Sequence, residues 1–295
     1  MRIAVIGTRG AWSTEGLAAA LRFAGCAVPV IDLSLCSLRL PDPRLHYRGL
    51  PVEDLAGAVV KKIGDTAVGW MVRERINLLR QLETTGVRVL SEPDRLEVAV
   101  DRYRMTLELT RAGLPIPDTV LTEDIDDAMT TVERFGSAVL KPLFTSKGRG
   151  MERLDSTRDV RTALARHRAA GLGPFYLQRA IEHPGRDLGV AVLDGQCLGA
   201  YWRMAAPDQW MTTIRAGGRY ERAVPPPAAL ELALAAAKHF GLFFTGVDLM
   251  ETPDGGFVVL EVSAFGGFRG LSVACGIDAA PLLAEVIMRR VKDGR

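Results

Sequence analysis

A lysine at the end of a short apolar stretch is followed by a glycine-containing loop in the middle of the chain. The stretch reads AVLKPLFTSKGRG, and its first lysine is Lys141. Glycines allow backbone N–H groups to converge on an oxyanion, and lysine adds a compact positive charge. Because the order of glycine and lysine is not that of the Walker motif, we predict a polyphosphate-binding loop of another kind, with a surface turn of solvated charges as the alternative. The predicted binding residues within the loop are Ser146, Lys147, Gly148 and Gly150.

Two carboxylates lie within apolar runs near the end of the chain. Asp248 is in TGVDLME and Glu261 is in VVLEVS, and a PDGG turn joins the two runs. Burying a carboxylate without a cation or a partner costs free energy, and adjacent antiparallel strands can direct two side chains to one face. Mg²⁺ prefers such oxygen ligands together with phosphate oxygens and water. Strand alternation equally allows both carboxylates to point to solvent, so the pattern leaves a metal site and a solvated pair open.

Three arginines near glycines or aromatic residues form a further group. Arg203, Arg215 and Arg269 lie in AYWRM, TIRAGG and GGFRG. The guanidinium fork binds phosphate and carboxylate groups bidentately. Only six of the 37 basic residues are lysines, so arginine is the ordinary positive charge of this chain. Ordinary surface use is therefore the alternative for any single arginine.

The secondary-structure elements that position these groups follow one pattern in the first third of the chain and another pattern after it. In the first third, short apolar runs alternate with helix-period stretches, which predicts a parallel sheet covered by helices. These runs are 3–6, 27–32, 58–61 and 87–90. Farther along, Asp194-Gly195 and Asp254-Gly255 are hairpin signals between alternating runs, which predicts antiparallel sheets. The predicted division is an α/β domain over 1–92 and two α+β subdomains over 93–174 and 175–295.

Composition excludes several classes of function. With 37 Lys+Arg against 35 Asp+Glu, the net charge of +2 lacks the basic surplus that is typical of nucleic-acid binders. The four cysteines are scattered without a C-x-x-C pair, which argues against a disulfide scaffold or a zinc site. No apolar run reaches the roughly 20 residues of a membrane span and no secretory signal is present, so we expect a cytoplasmic protein. The turn Gly7-Thr8-Arg9-Gly10 is not G-x-G-x-x-G, which argues against a dinucleotide-dependent oxidoreductase.

Taken in order, these motifs resemble the ATP-grasp fold, and specifically its ribosomal-protein glutamate ligase (RimK-type) branch. The matching strings are DRYRMTLELTRAGLPIPDT, AVLKPLFTSKGRGM, YLQRAIEHPGRD, GAYWRMA, GVDLME, VVLEVS, GFRGL and GIDAA. They cover about residues 90 to 290, and the first third fits the family by pattern only. The resemblance implies an N-terminal α/β lead domain followed by two α+β subdomains that sandwich ATP.

The resemblance also implies a nucleotide site. Lys141 and Arg102 would contact the phosphates, the loop 145–150 would close over them, and Asp187 would reach the ribose. The residues implied for the adenine hinge are Gln178, Arg179, Ala180 and Ile181. Those implied to hold Mg²⁺, with Mn²⁺ as an alternative ion, are Asp248, Glu261 and Ser263. The cations implied to stabilise the transferring phosphoryl group are Arg203 and Arg215, with Arg269 as a compensating charge.

The chemistry implied by the resemblance is amide formation. Family members activate a carboxylate as an acyl phosphate, which an amine attacks with release of ADP and phosphate. The substrates would be a carboxylate and an amine, such as glutamate, a peptide or a protein; a homo-oligomer fits the family, whereas nucleic acid and membrane partners do not. The acceptor would lie between the lead domain and the glycine loop 265–270, where candidate cations are Arg9, Lys61, Lys62 and Arg269.

Several positions depart from the family pattern. Arg102 stands where the family has its first phosphate-binding lysine, and Gly189 stands where it has an arginine. The W-R-T-N motif has Met211 and Thr213 in place of its arginine and asparagine, and Ser263 replaces the asparagine of the metal site. Because catalytic-site cations are lost, the alternative function is a nucleotide-binding regulatory or sensing component with weak or no ligase activity. The same replacements resemble the ATP-grasp component of a three-protein (GAK) system, which also has an HPr-kinase-like protein and an amphipathic repeat protein.

Overall fold

The first of three units is a four-stranded parallel sheet in the order β2-β1-β6-β7, joined to a small antiparallel sheet β3-β4-β5. The computed structural model describes residues 1–64, 69–155, 157 and 159–293. The elements of the first unit are β1 (Ile3–Ile6), α1 (Trp12–Phe23), β2 (Val30–Ile31), β3 (Cys36–Arg39), β4 (Arg44–Tyr47), β5 (Leu50–Pro51), β6 (Gly57–Val60), α2 (Gly69–Thr84) and β7 (Arg88–Leu90).

The second unit contains a four-stranded antiparallel sheet in the order β10-β9-β11-β8. Its elements are α3 (Pro93–Val100), α4 (Arg102–Arg111), β8 (Thr119–Thr122), α5 (Ile125–Phe135), β9 (Ser137–Lys141), β10 (Glu152–Asp155), α6 (Val160–Ala169) and β11 (Phe175–Arg179). A core that includes Val132, Leu164 and Phe175 packs α5 and α6 against this sheet. The strand β9 ends at Lys141, so the fold delivers this lysine to the end of the sheet.

The third unit is a five-stranded antiparallel sheet in the order β14-β13-β12-β15-β16. Its elements are β12 (Arg186–Leu193), β13 (Gln196–Met204), β14 (Arg219–Arg222), α7 (Pro227–Phe240), β15 (Phe244–Glu251), β16 (Phe257–Val262) and α8 (Ala279–Asp293). Leu188 and Val190 of β12 belong to the same core as the alanines of α7. Because strand side chains alternate between faces, Asp187 and Gly189 lie on the opposite face of the sheet.

The first and third units share a hydrophobic core. Ile3 and Val5 of β1 pack in one cluster with Leu17 of α1 and Leu283 of α8, whereas Ile6 packs in the cluster that contains α2. Burial on both faces explains why β1 is a continuous apolar run. The helix α8 therefore holds the first sheet against the third unit.

Both predicted sheet types are confirmed. The strands β1, β2, β6 and β7 pair in parallel, and the hairpins at Asp194-Gly195 and Asp254-Gly255 join antiparallel strands. The strand predicted over 27–32 is shorter, because Pro29 has no backbone N–H to pair. The small sheet β3-β4-β5 was missed, since its strands are short and mostly exposed and so carry a weak pattern.

The predicted division into domains stays a prediction, although the sheets bear on it. The position 92 falls between β7 and α3. The strand β11 pairs with β8 and β9, so the second sheet continues to Arg179, past the boundary predicted at 174. Among the residues described, no helix is long and apolar enough to cross a membrane.

Candidate active site

Four charged side chains meet on one face of the third sheet. Asp187 on β12 lies opposite Arg203 on β13, and Asp248 on β15 lies opposite Glu261 on β16. Gly189 of β12 lies opposite Asp248 and connects the two pairs across the sheet. Residues directly opposite each other in antiparallel strands share a face, so these side chains line one surface.

Arg203 is held between two carboxylates. Its Nε lies 3.0 Å from Oδ1 of Asp187, its Nη2 donates to Oδ2 of Asp187, and the same Nη2 lies 2.8 Å from Oδ2 of Asp248. Burial raises the pKa of Asp248 to about 7; Arg203 opposes this rise, and the charges of Asp187 and Glu261 add to it. Burial acts to lower the pKa of Arg203, but the two aspartates hold it well above its ordinary value. The guanidinium is therefore a fixed positive charge at the centre of the face.

The donor set on this face fits a divalent cation. Asp187, Asp248 and Glu261 carry three formal negative charges against one on Arg203, which leaves negative charge in excess at a largely buried place. In the described part of the chain, no group of three or more His, Cys, Asp or Glu side chains is arranged to hold a metal alone. Two facing carboxylates completed by phosphate oxygens and water are what Mg²⁺ takes at nucleotide sites, so Asp248 and Glu261 remain the predicted ligands.

Ser263 lies just beyond the end of β16, close to Glu261. Its backbone N–H donates to the carbonyl of Gly246 at 2.8 Å, and its hydroxyl donates to the carbonyl of Phe265 at 3.3 Å. Because the hydroxyl is the donor in this bond, its oxygen lone pairs stay available to a metal. Its role as a third ligand stays a prediction.

Two buried cations, Arg102 and Lys141, lie where the loop leaves β9. Arg102, at the start of α4, donates to the carbonyl of Pro142 and, at 3.0 Å, to that of Thr145. Lys141 donates to Oε1 of Gln178. Burial lowers the pKa of Lys141 to about 7, and the neighbouring charge of Arg102 adds to this shift. Arg102 therefore supports the loop by bonding its backbone carbonyls. A phosphate that bound Arg102 would share the guanidinium with these carbonyls.

The loop itself turns through left-handed backbone. Lys147, Gly148 and Gly150 have φ values of 60°, 71° and 70°. A Cβ placed on Gly148 would lie 3.3 Å from Cγ2 of Thr213 and 3.4 Å from Sδ of Met211. The loop thus approaches the third unit at the two positions where this chain departs from the W-R-T-N motif.

A cavity of about 100 Å³ brings the two predicted sites together. Its walls include Arg102, Thr145 and Ser146 from the loop side and Glu261 and Ser263 from the third sheet. Lys62, which follows β6 of the first unit, also contributes to its lining. Predicted phosphate-binding and metal-binding residues therefore face one space at the junction of all three units.

Two backbone N–H groups of the predicted adenine hinge form hydrogen bonds within the protein. The N–H groups of Arg179 and Ala180 donate to the carbonyls of Asp118 and Ser137 at 2.8 and 2.9 Å, and Gln178 is buried beside Lys141. These two N–H groups are therefore engaged in the sheet, and Ile181 follows them. Asp187 is 2% exposed and both its oxygens bond to Arg203. A ribose contact by Asp187 requires this pair to open, so both assignments stay predictions.

Arg215 and Arg269 are exposed, in contrast to Arg203. Arg215 lies in a short 3₁₀ turn, Ile214–Ala216, and Arg269 lies in the glycine loop 265–270. Neither forms an ion pair with a carboxylate of the described residues. Both guanidinium groups are thus free to bind an anion.

The sequence motifs did not predict that Tyr201 lies at this site. Its ring lies between Gly189, its direct partner across β12 and β13, and Gly270 of the glycine loop. A Cβ on Gly189 would lie 2.7 Å from the ring, and burial raises the pKa of the Tyr201 hydroxyl. The signal was available in the sequence, because a glycine in a strand interior often marks a close approach by another group. An aromatic ring therefore fills the space beside the position where the resemblance expects an arginine.

A lysine and glycine loop on one sheet, facing carboxylates and an arginine on a second sheet, defines a protein of the ATP-grasp class. The chain belongs to the RimK family: residues 99–287 match the RimK-like ATP-grasp domain and residues 1–96 match the RimK PreATP-grasp domain. It is accordingly an ATP-dependent carbon–nitrogen ligase of the RimK-like type.

Named relatives support this membership, and a solved structure supports the fold. The tetrahydromethanopterin:alpha-L-glutamate ligase of Methanocaldococcus jannaschii is 31% identical over 85% of both chains. The enzyme of the same name from Methanosarcina acetivorans is 28% identical over 94% of this chain and 95% of its own. The ATP-grasp ligase PsnB, solved with a phosphomimetic variant of minimal precursor, Mg and ADP, is 22% identical with a TM-score of 0.75 and 98% coverage of each chain. At this identity the PsnB structure supports the fold alone.

Proposed function

We propose that the protein is an Mg²⁺-ATP-dependent carboxylate–amine ligase that forms an amide through an acyl phosphate. The observation that carries this proposal is the cavity in which Arg102 and Ser146 of the loop side meet Glu261 and Ser263 of the third sheet. A phosphate group in this space would have Arg102 on one wall and the carboxylate of Glu261 on the other. Asp248 and Glu261 would hold Mg²⁺, which would supply positive charge to neutralise part of the phosphate charge.

The proposed reaction has two steps. A carboxylate oxygen of the acceptor attacks the γ-phosphorus of ATP, and the bond to the β–γ bridging oxygen breaks to release ADP. The amine nitrogen then attacks the acyl carbon, the carbon–oxygen bond to phosphate breaks, and the nitrogen loses a proton. Both steps move negative charge between oxygens, so catalysis rests on positioning and on fixed positive charge.

The side chains support distinct roles in this reaction. Arg203 offers a guanidinium that is oriented by Asp187 before any substrate arrives, which is the preorganisation that stabilises a transferring phosphoryl group. Lys141 carries a depressed pKa and, among the residues described, one side-chain acceptor, Gln178, so a phosphate oxygen would compensate its burial. Arg215 and Arg269, both exposed, are the cations that an incoming anionic substrate would meet.

L-Glutamate is the proposed amine substrate, because the curated relatives are named alpha-L-glutamate ligases. The acceptor is proposed to bind beside the carboxyl ends of β1 and β6. In the sheet order β2-β1-β6-β7, β2 lies on one side of β1 and the later strands β6 and β7 lie on the other. Ligands of open α/β sheets bind at the carboxyl ends of the strands where the chain changes sides in this way. Lys62 and Arg9 follow these strand ends and would hold acceptor carboxylates.

Product formation tests the proposal. The protein is incubated with Mg²⁺-ATP, L-glutamate and glutamate-terminated peptides, and ADP release is followed together with mass spectrometry of the peptides. We expect ADP release that depends on both substrates and a peptide heavier by one glutamyl residue. ATP turnover that no carboxylate or amine stimulates would contradict the proposal.

A second candidate function is a nucleotide-binding regulatory or sensing component. It is favoured by the side chains that meet the phosphate loop, because Met211 and Thr213 replace an arginine and an asparagine where Gly148 approaches. This candidate predicts tight binding of ATP or ADP by calorimetry with no stimulated turnover. Absence of nucleotide binding would reject both candidates.

A further inference from the structure

Lys61 is a buried lysine at the contact between the first and third units. It follows β6, is 5% exposed, and donates from Nζ to the carbonyl of Gly266 in the glycine loop 265–270. Nζ also lies 4.3 Å from the ring centroid of Phe268 and 5.0 Å from that of Phe244. One ammonium thus contacts the loop at two places and the strand β15 at a third.

The charge of Lys61 is buried with few polar partners. An ammonium has three N–H donors, and within the described ranges Lys61 has one carbonyl acceptor and no carboxylate partner. Burying a cation without a carboxylate is unfavourable, and burial lowers the pKa of Lys61 to about 7. A methionine of similar length would fill the same space without this cost. The lysine therefore contributes something other than stability.

The loop that Lys61 contacts fits its surroundings closely. The N–H of Gly266 donates to the carbonyl of Phe244 at 3.2 Å, and a Cβ on Gly266 would lie 2.5 Å from the Phe244 ring. At its other end, Gly270 lies against the ring of Tyr201. Phe268 is in edge contact with Trp12 of α1, with centroids 6.2 Å apart. The exposed Arg269 therefore lies in the loop between residues that are packed at both of its ends.

We propose that Lys61 is a positioning residue that fixes the glycine loop 265–270, and with it Arg269, against the first unit. The charge-assisted hydrogen bond to Gly266 and the contact of the cation with Phe268 hold the loop at the carboxyl end of β6. The importance of Arg269 for the acceptor rests on the proposed ligase function. The positioning of the loop by Lys61 is independent of that proposed function.

Hydrogen exchange of the variant Lys61→Met tests this role. In this variant the amide of Gly266 in the loop, and that of Ser272, which donates to the loop carbonyl of Phe268 at 3.0 Å, should exchange at least about tenfold faster, because a charge-assisted bond and two cation–π contacts are lost. The midpoint of thermal unfolding should stay the same or rise, since a buried unpaired charge is removed. Affinity for ADP with Mg²⁺ should stay within about twofold by calorimetry, because Lys61 is not among the predicted nucleotide-binding residues.

Two further variants separate positioning from general packing. Lys61→Arg keeps the charge and should restore a large part of the loop protection that Lys61→Met loses. Lys238→Met, which removes an exposed lysine of α7, should leave exchange of the loop unchanged. Unchanged loop exchange in Lys61→Met, or faster exchange spread over the whole third unit, would overturn the proposal.

Kinetics then link the loop to the acceptor. The probes are Mg²⁺-ATP, L-glutamate as the amine and a glutamate-terminated peptide as the acceptor. Lys61→Met should raise KM for the peptide while KM for ATP stays near the parent value. A parent protein without peptide-stimulated turnover would refute the proposed function and leave the exchange result standing. A variant with parent-like KM for the peptide would overturn the link between the loop and the acceptor.

Discussion

The guanidinium nitrogen Nη2 of Arg203 lies 2.8 Å from Oδ2 of Asp248 while the same group bonds both oxygens of Asp187. Arg203 therefore partly neutralises one of the carboxylates that we assign to the metal. If Asp248 is a metal ligand as proposed, Mg²⁺ would compete with Arg203 for it, and we expect the affinity for Mg²⁺ to depend on this arginine.

Replacing Arg203 with methionine should make stability depend on divalent cations. The variant leaves Asp187 and Asp248 close together without a counter-charge, so unfolding in urea should cost about 3 kcal/mol less than for the parent. Added Mg²⁺ should recover part of this loss. The exposed Arg215→Met is the control and should change stability by less than about 0.5 kcal/mol. A parent-like stability of Arg203→Met without Mg²⁺ would show that the pair does not matter to the fold.

The contact of Gly189 with Tyr201 predicts a steric cost. Gly189→Ala would place a methyl group 2.7 Å from the ring and should destabilise the protein by about 1–3 kcal/mol, as overpacking does. Tyr201→Ala in the same chain should remove most of that penalty, which a double-mutant cycle measures. Gly246→Ala, in the same sheet with open space around it, should be far milder. Equal effects of both alanines would refute the assignment of the contact.

Stability should rise with pH above neutrality because of two buried lysines. The pKa values of Lys61 and Lys141 fall from 10.5 to about 7 on folding. Between these values the unfolded chain binds protons that the folded chain has released, so stability increases by up to about 1.4 kcal/mol per pH unit for each lysine. Below about pH 7 both states are protonated and the contribution is constant. Urea unfolding of the parent and of Lys61→Met from pH 7 to 9 should show a smaller slope in the variant; parallel curves would contradict the shift at Lys61.

Much of this fold was accessible from the sequence. The parallel sheet, the hairpins at Asp194 and Asp254 and the partnership of Asp248 with Glu261 all follow from periodicity and turn residues, which act locally. The pairing of Arg203 with Asp187 and the ring of Tyr201 beside Gly189 depend on the register between β12 and β13. Local patterns do not specify such register by themselves, because it is set by tertiary packing.

The burial of Lys61 illustrates a second limit. A lysine at a strand end is usually solvated, and Lys61 is enclosed by distant parts of the chain, namely Phe244, Phe268 and Gly266, the last 205 positions away. The departures at Met211 and Thr213 were visible in the sequence, but their contact with Gly148 required the loop and the third unit to be placed together.

Gly148→Ala should weaken nucleotide binding more than it weakens the fold. Alanine at a φ of 71° costs about 1 kcal/mol, and its methyl group would also press against Thr213 and Met211. We expect about tenfold weaker ADP binding by calorimetry, because the loop can no longer close against the third unit. Gly171→Ala has a similar φ of 64° and no neighbour within 4 Å, so it carries the backbone cost alone. Parent-like ADP affinity in Gly148→Ala would remove this loop from the nucleotide site.

The assignment of Asp248 as a metal ligand for ATP is tested most directly by the Mg²⁺ dependence of nucleotide affinity in Asp248→Asn. The matched control is Glu251→Gln, which changes an acid on the same strand that pairs with Arg186. ADP binding is measured by calorimetry over a range of Mg²⁺ concentrations for the parent and both variants. We expect Mg²⁺ to strengthen binding by at least about tenfold in the parent and in Glu251→Gln, and by less than about twofold in folded Asp248→Asn. An undiminished Mg²⁺ dependence in folded Asp248→Asn would contradict this assignment.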